Sequence, residues 1–168
     1  GEKRGRLKRV ESLTPGHPRA VGPPLPAMAS VVGRVLNCRG LPNKDLFNKE
    51  DPYVVMEYFD EHGEKRGEAR SAVKSKCGQN PDFNGDEAVF NFADAKLGGF
   101  LRFTVWDKDL GPDDWMGQAT VPVGIVPFQE TTFTFSLGAS RRKRLLLKKT
   151  PNGTLTVTMS VHNHHNWL

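Results

Sequence analysis

The chain has 168 residues, 24 Lys and Arg against 19 Asp and Glu, a net charge of +5 and 37% hydrophobic residues. That is room for one domain with its own core, and 17 Gly, 12 Pro and 10 Phe fit a loop-rich β protein better than a helical one. Two cysteines make neither a disulfide framework nor a zinc knuckle, no apolar run reaches the roughly 18 residues of a membrane span, and the start is too polar for a signal peptide. The net charge invites a nucleic-acid partner, but it is unevenly placed. Residues 1–27 hold six basic and two acidic residues, 28–138 hold 12 and 17, and 139–168 hold six and none. An acidic body therefore lies between two basic flanks. The first flank, rich in proline from Pro15 to Pro26, is expected to be a flexible linker, and a chain opening on Gly suggests a piece of something longer.

Along the body, Ser30–Leu36 is a β-branched run closed by Gly40 and Pro42, and it predicts a strand and a turn. Tyr53–Tyr58 predicts a second strand, and the glycine-flanked, charged Glu61–Gly67 a hairpin turn. From Arg70 to Cys77 the residues alternate, with Arg70, Lys74 and Lys76 on one face, which predicts a strand with a solvated basic side. Asn80-Pro81 marks a turn, Ala88–Phe92 a strand, and Asp94–Leu97 a short helical turn. Phe100–Trp106 places Leu101, Phe103 and Val105 on one side of another strand. Gln118–Val123, Thr132–Ser136, Arg144–Lys148 and Thr154–Val161 complete eight or nine strands, the last two joined by a turn at Thr150–Gly153. The expected class is an all-β antiparallel sandwich.

Carboxylates gather in two loops. Asp45 and Asp51 follow the first strand; Asp107, Asp109, Asp113 and Asp114 follow the strand ending at Trp106. Such a dense set repels itself and either stays solvated or recruits a cation, and its hard oxygen donors suit calcium before zinc. Asp also bends and caps turns, so either loop alone supports both readings. An EF-hand is excluded: counting from Asp107, position six is Pro112 rather than Gly and position twelve is Gln118 rather than Glu.

The full pattern is more specific. Leu41-Pro42-Asn43-Lys44-Asp45 and Asp51-Pro52-Tyr53-Val54-Val55 are followed by Asn80-Pro81-Asp82-Phe83-Asn84 with Glu87 downstream. Then come Val105-Trp106-Asp107-Lys108-Asp109 and Asp114-Trp115-Met116-Gly117. In this order and spacing the sequence resembles a C2 domain, as in synaptotagmins, protein kinase C, phospholipase C and perforin, from about Ser30 to Val161. The resemblance implies an eight-stranded sandwich over 28–168, ending in a short His-containing tail. Because Pro-rich 15–26 cannot easily supply a strand before Ser30, the type II topology of phospholipase C and perforin is favoured.

By that resemblance Asp45, Asp51, Asp107, Asp109 and Asp114 would hold two or three calcium ions. Asp113 counts as a sixth donor, since the third loop is a residue shorter than in synaptotagmins, and the carbonyls of Lys44 and Lys108 would assist. Leu46 and Phe47, with Leu110 and Trp115, would enter the membrane, although Phe47 and Trp115 could instead fold onto the sandwich rim. Arg70, Lys74 and Lys76 resemble the polybasic strand that other members turn toward phosphoinositides; an ordinary solvated face is the alternative. Arg141–Lys149 is a denser basic cluster in a variable connection, and its role stays open.

Weaker signals are His162, His164 and His165, which lack a second ligand set, and Asn152-Gly153-Thr154, a glycosylation pattern that is also an ordinary turn. Cys38 and Cys77 read as reduced core thiols, which suits the cytosol. The expected function is a calcium-dependent, cytoplasmic module that brings a larger parent protein to anionic phospholipid membranes. The alternative is a calcium-independent protein-interaction domain. Nucleic acid is disfavoured because the aromatics cluster with carboxylates, and no nucleophile–base pair or phosphate-cradling loop suggests an enzyme.

Overall fold

The computed structural model describes residues 29–43, 49–138 and 152–163. Eight strands are present: β1 Ala29–Arg39, β2 Pro52–Phe59, β3 Lys65–Arg70, β4 Val89–Ala95, β5 Phe100–Asp107, β6 Asp114–Pro122, β7 Thr131–Ser136 and β8 Thr154–Asn163. They form two four-stranded antiparallel sheets, ordered β4-β1-β8-β7 and β3-β2-β5-β6. The final strand β8 lies between β1 and β7. Among the described residues the helical content is one three-residue 3-10 turn, Val123–Ile125.

Period-two alternation accounts for the layers. Val31 and Val35 of β1, Leu155, Val157, Met159 and Val161 of β8, and Leu101, Phe103 and Val105 of β5 all point into one core. Phe90 of β4 stacks on Phe92 and meets Phe103 edge-on across the sandwich, at centroid separations of 5.5 and 5.7 Å. β1 and β8 approach so closely that a β-carbon on Gly33 would collide with the Thr158 carbonyl and the Phe90 ring. Cys38 is buried in this core, and desolvation pushes its thiol up to about 12, so it stays protonated.

Three expectations are corrected. The segment after Arg70 is not a strand: β3 is the earlier stretch Lys65–Arg70, and residues 71–78 follow β2 irregularly. Hydrogen bonds from the amides of Ser71, Lys74 and Gly78 to the carbonyls of Val54, Pro52 and Glu50 skip unevenly, and Lys76 and Gly78 turn to positive φ. The apparent alternation fails because Ser71 is buried while Val73, expected on the same face, is 41% exposed. Cys77 is only half-buried for the same reason. Asp94–Leu97 is also not helical: Asp94 lies in β4 with φ +57, and a turn closes from Gly99 N–H to the Lys96 carbonyl. The chain reverses at 61–64 rather than across the whole of Glu61–Gly67. The predicted strand Arg144–Lys148 and the linker 1–27 fall outside the described residues.

The 61–64 turn is built on Asp60. Its Oδ1 accepts from the amides of His62 and Glu64 at 2.9 and 3.0 Å, and its Oδ2 accepts from Arg66 Nε at 2.6 Å. Desolvation pushes the Asp60 carboxyl up, but the Arg66 hydrogen bond, the two amides and the guanidinium charge outweigh it and hold it at about 2. A carboxyl lowered by folding contributes stability above its ordinary value, and that contribution is lost as pH falls toward the folded value. Asp60→Asn should therefore lower the melting temperature at pH 7. It should also flatten the decline between pH 3.8 and about 2, as thermal unfolding across that window would record.

Candidate functional site

Strand register gathers the carboxylates. Pro52 at the start of β2 pairs with Asp107 at the end of β5, and Asp107 pairs with Asp114 at the start of β6. Asp51, Asp107, Asp109, Asp113 and Asp114 thus share one end of the β3-β2-β5-β6 sheet. Asp45, Leu46 and Phe47, with Lys44, lie outside the described residues.

The described groups are individually anchored. Asp107 is 3% exposed, and its Oδ1 accepts the Asp51 amide at 2.7 Å. The Asp51 carbonyl in turn accepts the Lys108 amide at 3.1 Å. Asp51 Oδ1 accepts the amide of Lys76 at 2.5 Å, a contact made possible by the left-handed backbone there, φ +54. Asp109 is half-buried and Asp114 exposed. Among the described residues no three of these side chains close on a common point to hold a metal ion. The donor chemistry nonetheless suits a hard divalent cation, because every side-chain oxygen in the set belongs to a carboxylate.

Asp113 differs from the others. Its Oδ2 accepts the Tyr53 hydroxyl at 2.6 Å, and its Oδ1 accepts Lys108 Nζ at 3.0 Å and the Asp109 amide at 3.2 Å. The Tyr53 hydrogen bond, then Lys108 and the amide, hold the Asp113 carboxyl at about 2. Burial and this bond push the Tyr53 hydroxyl up to about 12. Sequence reasoning misses Tyr53 as a site residue. Its place in Asp51-Pro52-Tyr53 is a signal, but its partner depends on the β5–β6 register.

Leu110 at the tip of the third loop is 112% exposed, the most exposed large apolar side chain described. Trp115 is half-buried on the outer sheet face, where it lines an open groove of about 600 Å³ with Tyr53, Trp106 and Asp113. It therefore stands on the sheet face rather than at the loop tip with Leu110.

The three basic candidates do not share a strand face. Arg70 ends β3 and pairs with Glu68 at 2.9 Å; Glu68 also binds Lys65 at 2.6 Å. Lys65 reaches Glu57 at 3.5 Å, and Glu57 binds Arg102 at 2.8 Å, a continuous ladder of alternating charge across the groove. Lys74 pairs with Glu87 at 2.9 Å, and Lys76 is exposed in the following turn. Of the minor signals, His162 Nε2 lies 3.0 Å from Ser160 Oγ, while His164 and His165 are outside the described residues. Asn152 Nδ2 donates to the Met116 carbonyl at 2.8 Å, so the amide that glycosylation would use serves the fold.

The Lys76 backbone yields a direct expectation. A β-branched residue at φ +54 is strained by about 1–3 kcal/mol, whereas glycine is not. Lys76→Val should lose about that much stability in urea unfolding, and Lys76→Gly should lose little.

Residues 30–137 match the family model described as C2 domain. The chain is 34% identical over 98 residues to the Rho GTPase-activating protein gacEE of Dictyostelium discoideum, covering 58% of this chain and 15% of that protein. It is 36% identical over 95 residues to FT-interacting protein 4 of Arabidopsis thaliana, covering 56% of this chain and 11% of that protein. The chain thus spans a small part of the length of these curated relatives. A C2 domain of plant Extended Synaptotagmin 1 superposes with a TM-score of 0.67 at 25% identity, over 85% of this chain and 100% of that one.

Proposed function

This chain belongs to the C2 domain family, and we propose that it is a calcium-dependent phospholipid-binding module that brings a larger protein to anionic membranes. The observation that carries this reading is the gathering of Asp51, Asp107, Asp109 and Asp114 at one sheet end beside a fully exposed Leu110. Calcium, held by these carboxylates with Asp45 from the first loop, would supply positive charge and open coordination positions for lipid phosphate or carboxylate oxygens. Asp51 and Asp107 are fixed to each other through the backbone, so their spacing does not depend on a ligand. The carboxylates themselves repel an anionic surface, which makes charge compensation the condition for approach. Leu110 then has an apolar destination that water does not offer. The ion pairs of Arg70 and Lys74 argue that lipid contact rests on the loop end more than on a basic strand.

Sedimentation with phosphatidylserine-containing vesicles tests this. The chain should pellet with vesicles in calcium and not in chelator. Asp107→Asn/Asp109→Asn should abolish the difference while circular dichroism stays unchanged. Pelleting that ignores calcium, or survives the double substitution, would sink the reading and favour a calcium-independent interaction domain.

Leu110 gives an independent check. Full burial of a Leu side chain contributes about 1.5–3 kcal/mol, most of which alanine forfeits. Leu110→Ala should weaken vesicle binding roughly 5- to 30-fold. Its calcium titration in the absence of lipid and its melting temperature should match the parent chain.

A further inference from the structure

The carboxylates at this end divide into two kinds. We infer that Asp113 is a positioning residue that braces the third loop through Tyr53, Lys108 and the Asp109 amide, and that it is not itself a calcium ligand. The inference rests on the calcium reading above and assigns a distinct role within the same site.

Strand alternation separates Asp113 from its neighbour. Asp113 and Trp115 both line the outer groove with Tyr53 and Trp106, whereas Asp114, one residue away, is paired opposite Asp107. Asp107 and Asp114 therefore belong to one side of the sheet end and Asp113 to the other. Three of the roughly four lone-pair positions of the Asp113 carboxylate are already taken. A hydroxyl from β2, an ammonium from the loop and a loop amide converge on it at 2.6, 3.0 and 3.2 Å. The Lys108 ammonium also compensates its charge locally. To take a place in an ion's coordination shell, Asp113 would have to turn away from the Tyr53 hydroxyl, which belongs to a side chain only 7% exposed and would lose its partner, at a cost.

Held where it is, the same carboxylate orders its neighbours. The Asp109 amide is fixed by Asp113 Oδ1, so the backbone that carries the Asp109 carboxylate is set before any ion arrives. Tyr53 lies two residues after Asp51, so the brace also ties the start of β2 to the third loop. Two segments bearing proposed ligands are thereby held in one arrangement, and less ordering remains for binding to supply.

The test uses the whole chain with Asp113→Ala, Tyr53→Phe and the double variant. Calcium is titrated calorimetrically, and amide hydrogen exchange is measured in chelator. Asp113→Ala should weaken calcium affinity roughly 3- to 30-fold with the number of bound ions unchanged. Tyr53→Phe should act in the same direction, and the double variant should be no weaker than Asp113→Ala alone, because both remove one brace. In chelator, exchange at the Asp109 amide should rise about tenfold or more in Asp113→Ala. Asp114→Asn, by contrast, should reduce the ion count and leave that amide unchanged. If the alanine variant does not fold, Asp113→Asn replaces it, with a smaller loss of affinity and again the full ion count expected. Loss of an ion on substituting Asp113, or unchanged exchange at Asp109, overturns the brace. If the parent chain binds no calcium the functional reading fails, yet exchange in chelator still decides whether Asp113 holds the loop.

Discussion

Two carboxylates about 4 Å apart repel by roughly 1 kcal/mol even in bulk water and by several times more near a protein surface. Any fold that brings five aspartates to one end of a sheet must therefore hold them apart or compensate them. Here the compensation is uneven. Asp113 receives an ammonium, a hydroxyl and an amide. Asp51 and Asp107 each accept a backbone amide, which fixes the side chain without cancelling its charge. Asp114 stays at the surface. The net result is an end that is rigid in its supports and still negative in its field.

The supports come from the sandwich itself. β2, β5 and β6 are held in register by backbone ladders whose inner faces carry Val54, Met56, Leu101, Phe103, Val105 and Met116, all buried. A slip of one residue would send those side chains outward and move Asp107 out of line with Pro52 and Asp114. Core packing and site geometry are thus the same constraint seen at two places along the strands. The opposite treatment of charge on the outer face makes the contrast clear. Arg102, Glu57, Lys65, Glu68 and Arg70 pair in sequence, three cations around two carboxylates, so every carboxylate on that face is compensated while compensation at the loop end is uneven.

Much of this was legible in the residues. Alternating apolar positions in 100–106 located a strand, because a half-buried strand must alternate, and Thr154–Val161 read as another; that both are central is a fact of the sheets. The Asp-Pro-Tyr and Trp-Asp-Lys-Asp blocks marked the loop end and the family. Alternation misled at 70–77, where a genuine period of two in residue type is overridden by positive φ at Lys76 and Gly78 and by uneven pairing with β2. Composition could not reveal that Arg70 and Lys74 meet Glu68 and Glu87, since side-chain partners are chosen by register and by the folding of the turn.

The sequence by itself determined the class of fold, the family, most of the strands along the chain and the loops in which the aspartates gather. These follow from local pattern: hydrophobic period, turn chemistry and the spacing of short motifs. Only the tertiary structure decided which aspartates are equivalent. Asp113 and Asp114 are adjacent and chemically identical in the sequence. A strand turns successive side chains to opposite faces, and the β5–β6 register sets one against Tyr53 and the other opposite Asp107.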